Sequence, residues 1–252
     1  MERASESRLT ADERAAVEQA RASPSYGLRR LTAPGGQLVV VVGETHLKLR
    51  RASELGRLLV GAFALRGVET FPSERVAAGR LTKWLIYLPR VLLLRLSFGL
   101  IKDSTIKDAR AAKQGNTFLL ESVSPVPLAL HVGSIYLALF FSVMYATVLV
   151  IPFQAWIPDR VLAPLLDLGT LLSWHLPALI PAYLLRRWRW SWILHPLVTI
   201  LTVRNTTMAE GTVAMLRAYP ERSAALVVMG RAHLPGYAQE LVEKHGFSEG
   251  EV

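Results

Sequence analysis

Two stretches far apart in the chain repeat one device: LVVVVGETHL at 38–47 and ALVVMGRAHL at 225–234 each run an apolar strand into Gly, two further residues, His and Leu. Continuous β-branched and apolar runs such as Gln37–Val42 and Ser223–Met229 suit strands buried on both faces. Strands of that kind need helices on both sides of their sheet, so an α/β domain is expected. Between the two copies, Arg51–Leu65 has helical spacing of Leu55, Leu58, Leu59 and Ala62, and the chain then passes Gly67 into a short strand at Val68 and Glu69. Thr206–Ala218 and Tyr237–Lys244 read as further helices.

A strand ending at Gly can turn sharply, because Gly accepts positive φ, and side chains just beyond strand ends line the crevice where open α/β sheets place ligands. Gly43 and Gly230 are therefore expected to present His46 and His233 at one rim. A single His after a strand serves as well as a satisfied structural group; the repetition is what favours a shared site. Glu69 ends the strand that follows the first helix, and Glu44 stands within the first motif. Two imidazoles and a carboxylate, His46, His233 and Glu69, can hold a divalent ion and leave positions open for a water of lowered pKa. Mn, Co and Zn are equally compatible with such a ligand set. Glu69 could equally be a strand-end carboxylate taking backbone or Arg hydrogen bonds. Glu44 is a candidate base, and Arg204, just before RNTTMAE turns helical, is a candidate clamp for a developing oxyanion. Asn205 or Thr206 reads as the N-cap of that helix, and Met208 as core.

There is no cysteine, so thiolate metal sites, Cys nucleophiles and a disulfide scaffold are excluded. Apolar residues make up 51% of the chain at a mean hydropathy of +0.29, and the formal charge is +9. No Asp, Glu, Lys or Arg lies between Glu121 and Asp159, and a second uncharged stretch runs from Leu168 to Leu185. These predict a hairpin of membrane spans at about 132–151 and 165–185, joined by a short link. Trp156, Trp174, Trp188, Trp190 and Trp192 lie within or beside it, and 188–199 reads as interfacial. Basic residues at both ends of the hairpin, Lys102 to Lys113 and Arg186 to Arg189, place both termini in the cytoplasm on the positive-inside rule.

The expected organisation is a charged tail at 1–30, a first half-domain at 31–121, a membrane insertion at 122–199 and a second half-domain at 200–252. Within the first half, 80–100 forms a basic amphipathic helix carrying Arg80, Lys83, Arg90 and Arg95 on one arc, suited to a membrane interface or to a solvated face. The lipid bilayer and a peptide are the expected partners. Nucleic acid is not, since no basic and aromatic recognition module is visible.

GETHL, the following helix and GVE, RNTTMAE, and VVMGRAHLPG together resemble the TraB/PrgY/TIKI family over roughly residues 37–75 and 200–247. The resemblance implies a TraB/TIKI-like α/β domain with a buried β-sheet and flanking helices, here interrupted by the inserted transmembrane hairpin. It also implies metal-dependent peptide hydrolysis, with His46, His233, Glu69 and Arg204 as the family residues. GETH is similar to erythromycin esterase-like hydrolases too, in which a His can act as general base without a metal. The sequence thus points to a membrane-anchored, cytoplasm-facing hydrolase of peptide or amide bonds. A protein that binds and sequesters a peptide without turnover is the alternative, and a membrane scaffold with core histidines is a third.

Overall fold

The computed structural model describes residues 8–45, 48–69, 104–122 and 199–250, together with 91, 94–98, 100–102, 161, 163 and 164. Contacts divide the chain into a unit of 1–70, 92–125 and 204–252 and a unit of 71–91 and 126–203. In the second unit the described residues are Val91, Val161, Ala163, Pro164 and a π-helical turn, Thr199–Val203.

The first unit is an α/β sandwich around a six-stranded mixed sheet. Its strands are β1 (Tyr26–Thr32), β2 (Leu38–Glu44), β4 (Leu65–Val68), β6 (Asn116–Leu119), β7 (Ala224–Gly230) and β8 (Ser248–Gly250), in the order β6-β4-β7-β2-β1-β8. A separate antiparallel pair joins β3 (Lys48–Leu49) to β5 (Ile101–Lys102). Strands β6, β4, β7 and β2 are mutually parallel, whereas β1 runs antiparallel to β2 and to β8. The matched motifs are therefore direct neighbours: Val40 pairs with Leu226, and Glu44 with Gly230.

Burial explains why both central strands are continuously apolar. Val39, Val41, Ala225, Val227 and Met229 face one core, shared with helices α4 (Arg204–Ala218) and α5 (Leu234–His245). Leu38, Val40, Val42, Leu226 and Val228 face the other, shared with α1 (Ala11–Arg21), α2 (Arg50–Ala62) and α3 (Thr105–Ala111). Each fully buried valine or leucine contributes about 1.5–3 kcal/mol relative to exposure, so a polar residue on either face would be costly.

Three local outcomes differ from the sequence reading. The charged N-terminal stretch is not wholly a tail: Thr10 caps α1 in a reciprocal capping box with Glu13, and Ala16, Val17 and Ala20 enter the core. Helix α2 stops at Ala62, because Leu65 and Val68 are needed in the sheet core. Gly43 and Gly230 do not adopt positive φ. Among the described residues the glycines that do are Gly36, Gly115 and Gly246, and Gly230 has φ −64°. Gly43 instead sits at a close approach: a Cβ there would lie 3.1 Å from both the Arg231 Cα and the Leu234 Cβ, so these neighbours would have to give by a few tenths of an ångström.

The expected interruption by a transmembrane hairpin is corrected. Among the described residues no helix is long and apolar enough to cross a membrane. The multi-pass membrane localisation, with both termini cytoplasmic, goes with it. The two expected spans, 132–151 and 165–185, lie outside the described residues, as does nearly all of 188–199 and most of the 80–100 helix. The expectation rested on uncharged length, tryptophan placement and basic flanks, and hydropathy alone does not separate a lipid-facing segment from an apolar protein interior.

Candidate functional site

The parallel strands β6, β4, β7 and β2 end at one rim, and the helices that follow them set its character. After β2 the chain crosses to the face of α2, after β4 to the same face with α3, and after β7 to the opposite face with α5. The end of β7 is thus a topological switch point, the place where a crevice opens in sheets of this kind. Glu44 closes β2, Glu69 follows β4, Glu121 lies in the 3-10 turn Leu120–Ser122 after β6, and His233 lies in the 3-10 turn Arg231–His233 after β7. Arg204 and Asn205 open α4.

Arg204 is the centre of this cluster. Its Nη2 donates to Glu69 Oε1 at 2.6 Å, and Glu121 is held by two bonds, from Nε to Oε1 at 2.7 Å and from Nη2 to Oε2 at 3.1 Å. Nη1 lies 3.3 Å from His233 Nε2, and His233 Nδ1 lies 2.8 Å from Asn205 Oδ1. The second oxygen of Glu69 accepts the Gly230 backbone N–H at 2.5 Å, which ties the end of β4 to the end of β7. The Glu69 N–H bonded to Val228 O at 3.0 Å continues the same ladder. Arg204 is 2% exposed, and Glu69, Glu121 and His233 are 5%, 6% and 5% exposed.

Two consequences follow from donors and acceptors. Burial by itself lowers the Arg204 pKa and is the largest influence, but the charges of Glu69 and Glu121 and their hydrogen bonds together outweigh it, so the guanidinium is held above its ordinary range. An arginine N–H can only donate, so His233 Nε2 accepts from Nη1 and the ring proton resides on Nδ1, where it donates to Asn205. Glu69 Oε1 also lies 3.7 Å from Nε2, a separation that would be an ion pair only with a protonated ring.

Of the residues singled out in the sequence, the structure brings Glu69, His233 and Arg204 together. The sequence reading placed a metal among them, and that expectation is corrected. Among the described residues no group of three or more His, Asp or Glu could hold a metal ion. The donor set explains why: both Glu69 oxygens and both His233 nitrogens are engaged within the protein, and the positive charge beside the carboxylates is the guanidinium. The third expected ligand, His46, lies outside the described residues. Glu44 is almost fully buried and belongs to a different contact, accepting the backbone N–H of Thr105 at 3.1 Å and of Ile106 at 3.4 Å at the start of α3.

Glu121 and Asn205 complete the cluster and were not singled out as site residues from the sequence. Asn205 appeared only as a candidate cap, and Glu121 only as the last charge before the uncharged stretch. Their spacing carries no motif, because the 3-10 turn and the start of α4 meet through tertiary packing. Gly211 makes that meeting close: a Cβ there would overlap the carbonyl of Leu120, 2.6 Å from its carbon.

No family model matches the chain, and no curated protein or solved structure does either.

Proposed function

We propose that the chain is a hydrolase of peptide or related amide bonds, working at the shared rim of β2, β7, β4 and β6. The observation that carries this is the junction of Arg204 Nη1 with the neutral His233 Nε2, at 3.3 Å longer than any of the three carboxylate contacts of the guanidinium. A substrate carbonyl oxygen competing for that N–H releases the imidazole lone pair. His233 then takes a proton from an attacking water as the water oxygen bonds to the carbonyl carbon, and the resulting oxyanion faces Arg204. On collapse the C–N bond breaks and the proton passes from His233 to the leaving amine, so a carboxylate and an amine result. Glu69 and Glu121 hold the guanidinium in place, and Asn205 holds the tautomer. The resemblance of the GETHL, GVE, RNTTMAE and VVMGRAHLPG segments to the TraB/PrgY/TIKI family supports peptides as the substrate class.

A second reading, peptide sequestration without turnover, is favoured by the closure of the cluster through its own hydrogen bonds. The purified chain incubated with a peptide library and a chelator separates the two when new termini are followed by mass spectrometry and binding by anisotropy. New termini support hydrolysis, retained peptide without product supports sequestration, and neither would overturn both.

A further inference from the structure

At the opposite end of the same unit, we infer that a groove of about 500 Å³ is a second binding site, for a small amphiphilic anion with an apolar body and one carboxylate or phosphate head. The volume is in the range of small-molecule sites, which combine an apolar wall with a few polar groups. The β1–β2 turn forms one wall with Ala33 and Pro34, while Val213 and Leu216 of α4 and Phe247 after α5 supply the rest of the apolar surface.

The charged residues that line the groove are of one sign. Arg217, Lys244 and His245 line the groove, and no carboxylate does so among the described residues. Lys244 shares its charge with Glu240 at 2.6 Å, but the Arg217 and His245 side chains make no hydrogen bond or ion pair among the described residues. Both α4 and α5 end here, and exposed terminal carbonyls would repel an anion. That repulsion is reduced where last-turn carbonyls are satisfied: Gln37 Nε2 donates to Leu216 O at 3.4 Å, and the Gly246 N–H donates to Leu241 O. Arg217 in the last turn of α4 and Lys244 in the last turn of α5 converge on one apolar surface.

The test is titration of the intact chain with decanoate, decyl phosphate and uncharged decanol, read by calorimetry and by amide chemical shifts. Saturable one-to-one binding of either anion, with shifts centred on 33–37, 213–220 and 244–247 and at least about tenfold weaker binding of decanol, supports the site. The ratio of the two anions then identifies the preferred head. Arg217→Glu should weaken the anions about tenfold and leave decanol unchanged. Gly35→Trp, at a turn position with nothing closer than 3.9 Å to a Cβ, adds bulk beside the groove and should weaken all three probes. Equal binding of decanol and the anions, shifts elsewhere, or unchanged affinity in Arg217→Glu would overturn the inference.

Discussion

Arg204 and Glu121 meet through two parallel hydrogen bonds although 83 residues separate them, and the guanidinium fork matches the carboxylate as a bidentate pair. Removing one partner of a buried pair leaves charge uncompensated, typically at a cost of about 3–5 kcal/mol. Because Glu69 still faces Arg204, Glu121→Gln should lie near the low end, about 3 kcal/mol. Urea denaturation checks this, and an unchanged midpoint would show that the pair contributes nothing to stability.

His233 should be the Nδ1–H tautomer, since Arg204 can only donate and Asn205 Oδ1 accepts. Long-range proton–nitrogen spectra near pH 8 should show a pyrrole-like Nδ1 and a pyridine-like Nε2. Asn205→Ala removes the acceptor and should mix the tautomers.

Gly211→Ala would press a methyl group into the carbonyl of Leu120, backbone that cannot swing aside. We expect about 1–3 kcal/mol of destabilisation, the usual range for overpacking. The turn that carries Glu121 should shift with it, so the resonances of the Arg204 side chain should move as well. Thermal denaturation and side-chain spectra provide the check.

How much of this was legible in the sequence depended on periodicity. The strands β2 and β7 were readable because Val39 to Val42 and Ala225 to Met229 must be apolar on both faces. The repeated motif suggested that both strands end at one rim; that they are direct neighbours, with β4 beside β7 and not beside β2, was not read. Strand β1 was not read, because Arg29 and Arg30 break its pattern: Arg29 pairs with Glu249 and Arg30 with Glu18. Glu121 and Asn205 were missed for a different reason, since a bidentate partner across the fold leaves no local spacing. The membrane expectation went wrong although uncharged length, tryptophan placement and basic flanks all pointed to it.

Tyr237 offers a pH-dependent test of the core. Burial raises its phenol above the ordinary value of 10, and the hydrogen bond with Thr212 only partly offsets this. The folded state therefore keeps the proton at pH values where the unfolded chain loses it, so this contribution is full below pH 10 and declines as the pH rises beyond it. Urea midpoints at pH 8 and pH 10.5 should fall more in the wild type than in Tyr237→Phe, and equal falls would contradict the assignment.

The central claim is that His233, set as a neutral base beside Arg204, hydrolyses amide bonds. It is tested most directly by the steady-state rate of peptide cleavage, in chelator, for the wild type and for His233→Gln with matched thermal stability. General-base catalysis of this kind is worth about 10²–10⁴-fold, so the account predicts a loss of that size in kcat. Cleavage by His233→Gln at the wild-type rate would contradict it.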